Sequence, residues 1–556
     1  MKIDDYWRAI QRIEPDEDLE ERLKKKVMSR NVSEKTYRIW AAAVLAACAL
    51  AAAIVIPAVL NGRQADDLGS SVAVGTPDAS AAVSAEEIKI IYGGGDYSAI
   101  YTAAAALAPA VKSEAGEDSV GTQSLEDLQK ELAERYSNPQ GVTAADERGY
   151  TYSAANRTVS VLDMNGETVT STECGSDRSF IITSEGETEI GVYEYYNELL
   201  LRAGKLYALK SVVRVIRAEG GDIPMDDGGI PTISQHYTLV EVYDVSVPDA
   251  LKLVKEIAVS GAYIGTAFTD SSMDVISRFS QYEIPVDESR PETYVPMCYT
   301  DHTMRVFSAE DIRKPENNEG FPYYEGEFLV GVSIGTAANE PRSFIAVEGA
   351  GSGTVGVYFG SSGIYALYTG YTYEYDAALD ARFNYTEILK ITDTDGSMEL
   401  AAQGRVRGTC FEDSRGIAKY TVSDEGGRFA VATRVWMSGV GKGEDDLGSL
   451  SHYDDDGKAY PNYYAYYVLD DDLNIVSTLD RIGYVSGLSL DFVAAYRENG
   501  ILYIVGELYY TGPDPDKELF MIDVRDPDNP VLLDNSMADD ADATAEWVCA
   551  MANPAP

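Results

Sequence analysis

Six times between residues 150 and 523 the chain repeats one two-beat phrase, and no other feature limits its fold as tightly. The first beat is a short strand carrying an aromatic or bulky apolar residue: Tyr150-Thr151-Tyr152, Leu206-Tyr207-Ala208-Leu209, Met273-Asp274-Val275-Ile276, Ile364-Tyr365-Ala366-Leu367, Arg428-Phe429-Ala430-Val431 and Leu502-Tyr503-Ile504-Val505. The second is a hydrophobic strand ending in aspartate, at Asp163, Asp244, Asp393, Asp470 and Asp523, with Ser333 in the third place. Residues 236–268 hold the clearest copy. Thr238, Val240 and Val242 alternate with Leu239, Glu241 and Tyr243, a polar turn containing Pro248 follows, and Leu251, Leu253 and Ile257 resume the pattern. Period-two alternation on both sides of a short polar turn specifies a β-hairpin.

One sheet of this kind cannot bury both of its apolar faces alone, whereas sheets stacked radially bury them against each other. The expected fold is therefore all-β, a β-propeller of six to seven blades. Successive second beats lie 53 to 89 residues apart, beyond the ~40–50 of compact blades, so most blades must carry long loops. After Asp523 the chain runs into Ala- and Asp-rich residues 534–556 without a strand signal. This predicts a ring incomplete at its C-terminal end, with an exposed edge strand.

Ahead of the repeats, residues 39–60 carry no charge across 22 positions, close to the ~20 that cross a bilayer as a helix. Lys24, Lys25, Lys26, Arg30, Lys35 and Arg38 precede this run and only Arg63 follows it closely. The positive-inside rule then puts the N-terminus in the cytoplasm and the repeats outside. Two rival readings are a cleaved signal peptide and lipoprotein processing at Cys48, but the run starts late and continues a dozen residues past Cys48. Residues 1–38 form a short helical tail, 61–90 a flexible Ala/Ser/Gly/Asp linker, and 91–146 a helical collar whose clearest helix spans 125–136. The propeller is expected over 147–533.

The formal net charge is −46. Residues 1–38 are nearly balanced, with 10 Lys+Arg against 9 Asp+Glu, so the acidity belongs to the exported part. That argues against nucleic acid or anionic lipid as its direct partner. The five cysteines are scattered and without ligand-like spacing, which disfavours zinc and a disulfide scaffold; a single pair such as Cys174 with Cys410 stays open.

Catalytic signals are thin. His236, His302 and His452 are isolated, Gly349-Ala350-Gly351-Ser352-Gly353 has the wrong register for a nucleophile elbow, and Gly439-Val440-Gly441-Lys442-Gly443 lacks the hydroxyl of a phosphate loop. No catalytic residue is assigned and the chain is expected not to be an enzyme. Asp454, Asp455 and Asp456, followed by Gly457, supply hard oxygens of the kind calcium takes; hairpin turns use the same residues, and so do Asp470-Asp471-Asp472 and Asp393-Thr394-Asp395-Gly396. No other cofactor is implied. Tyr463, Tyr464 and Tyr466 belong to a tyrosine run that either packs a strand or lines a ligand face for a glycan or peptide.

Several stretches, taken together, resemble a bacterial family of exported β-propeller domain proteins distantly related to WD40 propellers. They are Val242-Tyr243-Asp244-Val245-Ser246 leading to Ser260-Gly261-Ala262-Tyr263, Tyr294-Val295-Pro296, Ser423-Asp424-Glu425 leading to Arg428-Phe429-Ala430-Val431-Ala432-Thr433, Tyr467-Val468-Leu469-Asp470, and Leu519-Phe520-Met521-Ile522-Asp523 with Asp526-Pro527-Asp528-Asn529-Pro530. The resemblance covers residues 130–533 and implies a surface-exposed propeller behind one N-terminal anchor. The family's acidic entry to the first blade is eroded here to Val142-Thr143-Ala144-Ala145-Asp146-Glu147, and its further blade sequence after the Asp-Pro-x-x-Pro element is missing.

The expected function is a membrane-anchored binding or scaffolding module at the cell surface, with a protein or cell-wall glycan as partner. The alternative is a single-pass regulator of the anti-sigma kind, in which residues 1–38 hold a cytoplasmic protein while the propeller senses the envelope.

Overall fold

The computed structural model describes residues 88–110, 124–174, 178–183, 187–217, 232–281, 286–314, 324–349, 355–369, 374–376, 381–413, 416–418, 420–438, 462–483, 489–509, 516–533 and 541–552. Contacts divide the chain into units 1–84 and 85–556, and every described residue belongs to the second. The predicted tail 1–38 and span 39–60 lie outside the described residues, as does most of the linker. Among the described residues no helix is long and apolar enough to cross a membrane.

The described residues form six antiparallel meanders, one after another in chain order. Sheet 1 consists of Val142–Ala145, Thr151–Ala155, Thr158–Leu162 and Thr168–Glu173, and sheet 2 is built on Glu189–Arg202, Lys205–Arg217, Thr232–Asp244 and Lys252–Ser260. Sheet 3 takes Ala262–Phe268, Ser272–Ser280, Tyr324–Gly335 and Glu340–Gly349, and sheet 4 takes Val355–Phe359, Ile364–Thr369, Tyr385–Thr394 and Ser397–Arg407. Sheet 5 holds Val422–Glu425, Arg428–Ser438, Asn462–Leu469 and Ile475–Ile482, and sheet 6 holds Ser489–Glu498, Ile501–Tyr509, Asp516–Asp523 and Val531–Leu533. Each first beat falls on the second strand of a sheet, and each second beat lies within or just after the third. Residues 236–268 cross a sheet boundary: Gly261, at φ 101°, turns the chain out of sheet 2 into the first strand of sheet 3. A Cβ there would lie 2.5 Å from the Arg278 carbonyl.

Alternation along each strand sends neighbouring side chains to opposite sheets. In sheet 5, Phe429, Val431, Tyr463, Ala465 and Tyr467 pack toward Tyr365, Leu367 and Ile388 of sheet 4. Ala430, Ala432, Tyr464, Tyr466 and Val468 pack toward Leu502, Ile504, Phe520 and Ile522 of sheet 6. Sheet 3 does the same, with Val275, Phe328 and Val330 facing sheet 2 and Ile276, Leu329 and Ile345 facing sheet 4. Sheets 1 and 2 meet through Tyr152, Ala154, Val159 and Val161 against Leu206, Ala208 and Tyr243. Each fully buried side chain of this kind contributes about 1.5–3 kcal/mol.

Polar latches join the same neighbours. Arg148 donates from Nη1 to the Ser246 carbonyl at 3.1 Å, tying sheet 1 to sheet 2. Lys205 of sheet 2 donates to Asn339 Oδ1 beside sheet 3 at 2.8 Å. Asp424 of sheet 5 accepts from the Ser362 amide of sheet 4 at 2.6 Å, and Arg428 pairs with Asp528 beside sheet 6 at 2.5 Å.

The two ends of the stack are finished differently. Sheet 1 turns a face of Thr151, Ser153, Thr158 and Ser160 away from sheet 2, and this face is only partly buried. Sheet 6 turns away an apolar face, Ala494, Val505, Leu519 and Met521, and a helix covers it. That helix, Ala541–Ala552, lies in the Ala- and Asp-rich stretch without a strand signal; Ala545 and Val548 are buried, and Trp547 sets its ring 5.2 Å from Tyr496 and 5.5 Å from Tyr503. The last meander also has its fourth strand, since Val531–Leu533 pairs with Met521, Ile522 and Asp523. Among the described residues no buried cluster joins sheet 1 to sheet 6, so the six sheets follow one another without closing into a ring there, as the expected incomplete ring would have it.

The collar is part of this stack. Val142–Ala145, the eroded entry motif, is the first strand of sheet 1. The helix Leu125–Arg135 starts at Ser124, whose Oγ accepts from the Asp127 amide at 3.1 Å, and lays Leu128 and Leu132 on Ile190, Val213 and Val215. The helix Ser98–Ala110 inserts Ile100 and Ala104 into the core between sheets 2 and 3.

Replacing Val548 by Asp places a carboxylate against this apolar face and should cost on the order of 3 kcal/mol. The expected readout is a lower melting temperature with faster proteolysis within 541–552. Glu546→Lys on the exposed side of the same helix should leave both unchanged.

Candidate functional site

A cleft lies against sheet 2. Residues 281–323, inserted between the second and third strands of sheet 3, send two strands back to sheet 2: Met297–Thr300 pairs with Lys252–Ser260, and Thr303–Val306 pairs with Met297–Thr300. The turn between them is Asp301 and His302, at φ 48° and 57°, the left-handed pair that a two-residue hairpin needs. A β-bulge at Val254 of the fourth strand, opposite Val242 and Tyr243, leaves Val254 without a cross-strand partner. Together these strands and the turn enclose a cleft of roughly 240 Å³ lined by Phe180, Leu239, Leu253, Val254, Lys255, Glu256, Tyr299, Asp301 and His302.

Its floor is apolar and rigid, and its rim is charged. Phe180, Leu239 and Tyr299 are buried, and the Phe180 ring stands 5.4 Å from Tyr237 and 5.9 Å from Tyr299. At the rim, Lys255 Nζ pairs with Glu340 Oε1 at 2.6 Å and with Asp301, and Tyr299 OH lies 3.4 Å from His302 Nδ1. Burial alone would depress the Lys255 pKa, but the hydrogen bonds it donates to Asp301 and Glu340 outweigh that and raise it. The cleft therefore offers a small apolar socket with fixed carboxylates and a fixed cation at its mouth.

Two buried polar clusters lie elsewhere. Between sheets 1 and 2, Lys210 and Glu241 are fully buried and pair at 2.6 Å; Lys210 also reaches Glu194 at 3.3 Å. Tyr196 and Tyr243 donate to Glu241 Oε2 at 3.2 and 2.9 Å, and Cys174 Sγ lies 2.6 Å from Tyr243 OH. Burial followed by the Glu241 charge pushes the Cys174 thiol and both phenols up, so all three stay protonated. Burial opposes the Lys210 charge, yet Glu241 and Glu194 outweigh it and keep the ammonium.

Between sheets 3 and 4, Asp393 Oδ2 accepts from Ser272 and Ser333 hydroxyls at 2.6 and 2.7 Å. Asp274 stands beside them, 2% exposed. Burial first and the Asp393 carboxylate second push Asp274 up to about 7. Burial works against the Asp393 charge, but the two serine hydroxyls and Asp274 hold it below the ordinary carboxylate range.

The expected site residues fall outside these places. Asp454, Asp455 and Asp456 lie outside the described residues, as does His452. Among the described residues no group of three or more His, Cys, Asp or Glu could hold a metal ion. Asp470 caps a turn, accepting from the amides of Asp472 and Asn474 at 3.1 and 2.8 Å. Tyr463, Tyr464 and Tyr466 are buried at 1%, 0% and 4% exposure. They pack sheet 5 against both neighbours and present no ligand face, which corrects that reading. Cys174 and Cys410 are separate buried thiols, so the open pairing does not form. His236 sits against the Tyr136 ring at 6.1 Å, and burial, then Arg278, lowers it to about 4, leaving it neutral near pH 7. Of the two described histidines, His302 lines the cleft. The rest of the cleft escaped sequence reasoning because Phe180, Leu239 and Tyr299 come from three separate stretches; the alternation of 297–306 around an Asp-His turn was its one legible sign.

Successive four-stranded meanders packed face to face are the building plan of the propeller class of protein. A family model described as the beta propeller domain matches residues 145–536, and the chain belongs to that family. Among solved structures, an exo-1,5-alpha-L-arabinanase from a bovine ruminal metagenomic library is 9% identical, with 71% of this chain and 95% of that chain covered and a TM-score of 0.16. The extracellular domain of a putative one-component system from B. thetaiotaomicron is 9% identical over 71% of this chain and 66% of that chain, at a TM-score of 0.10. PorZ, a surface component of the type-IX secretion system of Porphyromonas gingivalis, is 11% identical over 64% of this chain and 55% of that one, also at 0.10. Comparison with curated protein sequences finds no match.

Both buried clusters yield measurable consequences. Lys210→Met leaves the buried Glu241 without its cation, while Glu194 keeps Arg178 at 2.9 Å, and should cost about 3–5 kcal/mol in a denaturant melt. For Asp274 the folded value of about 7 exceeds the unfolded one, so the native state holds a proton that the unfolded chain lacks. Its contribution is present below about pH 4 and is lost as pH rises toward 7. Asp274→Asn should therefore gain more melting temperature over the wild type at pH 8 than at pH 5; parallel pH profiles would contradict the shared proton.

Proposed function

We propose that this chain is a β-propeller binding module, held at a membrane by residues 39–60 with its propeller on the outer side, and that it engages a protein partner through the cleft on sheet 2. The carrying observation is the cleft itself: a rigid apolar floor of Phe180, Leu239 and Tyr299 beneath a rim of Lys255, Glu256, Asp301 and His302. Phe180 and Tyr299 close the bottom of the cleft at 1% and 3% exposure, and Val254, 42% exposed, is the apolar surface that a bound group meets. A volume near 240 Å³ suits one inserted apolar or aromatic side chain. The net charge of −46 favours approach by a basic partner. The apolar run and the Lys/Arg excess before it support the membrane address. Binding rather than turnover is supported by the rim, where Asp301 and Glu340 are both held in ion pairs with Lys255.

The test is a titration of the whole chain in nanodiscs with a fluorescent peptide bearing one tryptophan between lysines. Val254 is 42% exposed at the cleft, so Val254→Arg fills and charges the site without disturbing the core. The variant should bind at least tenfold more weakly with an unchanged thermal melt. Equal binding by both proteins, or none by either, would contradict the proposal.

A further inference from the structure

Among the described residues, four of the five seams between successive sheets are fastened by a cation against a carboxylate. Arg157 meets Glu194 at 3.8 Å between sheets 1 and 2, and Lys255 meets Glu340 at 2.6 Å between sheets 2 and 3. Lys390 meets Asp471 at 3.2 Å between sheets 4 and 5, and Arg434 meets Asp491 at 2.8 Å between sheets 5 and 6. Between sheets 3 and 4 two carboxylates meet instead. Asp274 of sheet 3 faces Asp393 of sheet 4, beside the turns that end both sheets.

The hydroxyl protons at this seam can be counted. Ser272 and Ser333 own one each, and both donate to Asp393 Oδ2, at 2.6 and 2.7 Å. Ser272 Oγ lies 3.4 Å from Asp274 Oδ1, and its proton is already used. Neither serine therefore has a proton left for Asp274, which is 2% exposed, while Asp393 Oδ1 is buried without a partner. A proton carried by Asp274 and given to Asp393 satisfies both acids; without it, two negative charges face each other out of water. The strands flanking Asp274 set only Ala267 and Ser333 opposite it. Lys390 points from the other face of its strand to Asp471, and Asp270, Arg342, Asp395 and Glu399 at this end of the two sheets are exposed.

We propose that the seam between sheets 3 and 4 is a proton-operated clasp: one proton held between Asp274 and Asp393 keeps the turn ends of the two sheets together, and its loss parts them there. The parting is confined to that end, because along the rest of the seam Ile276, Leu329 and Ile345 pack on Ile364, Leu389 and Ile391 and carry no charge. Burial, then Asp393, raises Asp274 to about 7 in the closed seam. Solvated in the open seam, it returns to the ordinary carboxylate value of about 4. Opening therefore grows as pH rises from about 4 to about 7 and levels off above that. The clasp is independent of what the cleft binds.

Met398 reports on the clasp directly. It pairs with Asp393 in sheet 4, its amide donates to Ser343 Oγ of sheet 3 at 2.8 Å, and a Cβ on Gly331 of sheet 3 would lie 2.8 Å from its Cε. The experiment exposes the whole chain in nanodiscs to dilute hydrogen peroxide at about pH 5 and about pH 8 and maps methionine sulfoxide by mass spectrometry. Met398 should oxidise at least about tenfold faster at the higher pH. Met273, buried between sheets 2 and 3, and Met521, under the C-terminal helix, should change less than about twofold. Asp274→Asn supplies a permanent donor in place of the shared proton, so Met398 should become equally slow at both pH values; Asp393→Asn, which removes the second charge, serves if the first variant does not fold. Met398 oxidising alike at both pH values in the unsubstituted chain, all three methionines changing together, or a folded variant that keeps the full pH response would each overturn the proposal.

Discussion

Every sheet in the middle of this molecule has two apolar faces, and neither can be left in water. Because side chains alternate along a strand, sheet 5 sends Tyr463 one way and Tyr464 the other, so it is stable only between sheets 4 and 6. The architecture follows from that requirement. Stacking satisfies the interior sheets, and the two terminal ones need separate solutions. Sheet 1 avoids the problem with an outer face of threonine and serine, while sheet 6 keeps an apolar outer face and borrows the helix Ala541–Ala552 to cover it.

The count and order of the sheets were legible from the chain because the two beats are consequences of this packing. The first beat marks a second strand buried on both faces, and the second marks the end of a third strand, where aspartate caps the turn, as Asp163 does for the amides of Asn165 and Glu167. Ser333 breaks the pattern for a visible reason. It lies across from Asp274 and donates to Asp393, and a third carboxylate there would have no counter-charge. The C-terminal helix was missed because its apolar positions are mostly alanine, which marks neither a strand nor a strongly amphipathic helix. The long interval before Ser333 was readable as an insertion, but not that its strands return to the preceding sheet and form the wall of a cleft.

The tyrosine run illustrates where composition misleads. Tyr463, Tyr464, Tyr466 and Tyr467 look like a binding face, yet all four are buried at or below 5% exposure and serve as bulk between sheets. The cleft instead uses single residues from several elements, held by a turn whose left-handed backbone no local pattern announces. Buried charge follows a similar rule: Lys210, Glu194 and Glu241 are tolerated between sheets 1 and 2 because each has partners within hydrogen-bonding reach.

The central claim is that alternate residues couple a sheet to opposite neighbours. Double-mutant cycles test it directly. Tyr365 and Phe429 stack at 4.0 Å across sheets 4 and 5, and Tyr464 and Phe520 meet edge-on at 5.6 Å across sheets 5 and 6. Each pair should show a coupling of about 0.5–1.5 kcal/mol, with none measurable between Tyr365 and Tyr464, which lie on opposite sides of sheet 5. Strong coupling between Tyr365 and Tyr464, or none within the two ring pairs, would contradict the stacked arrangement.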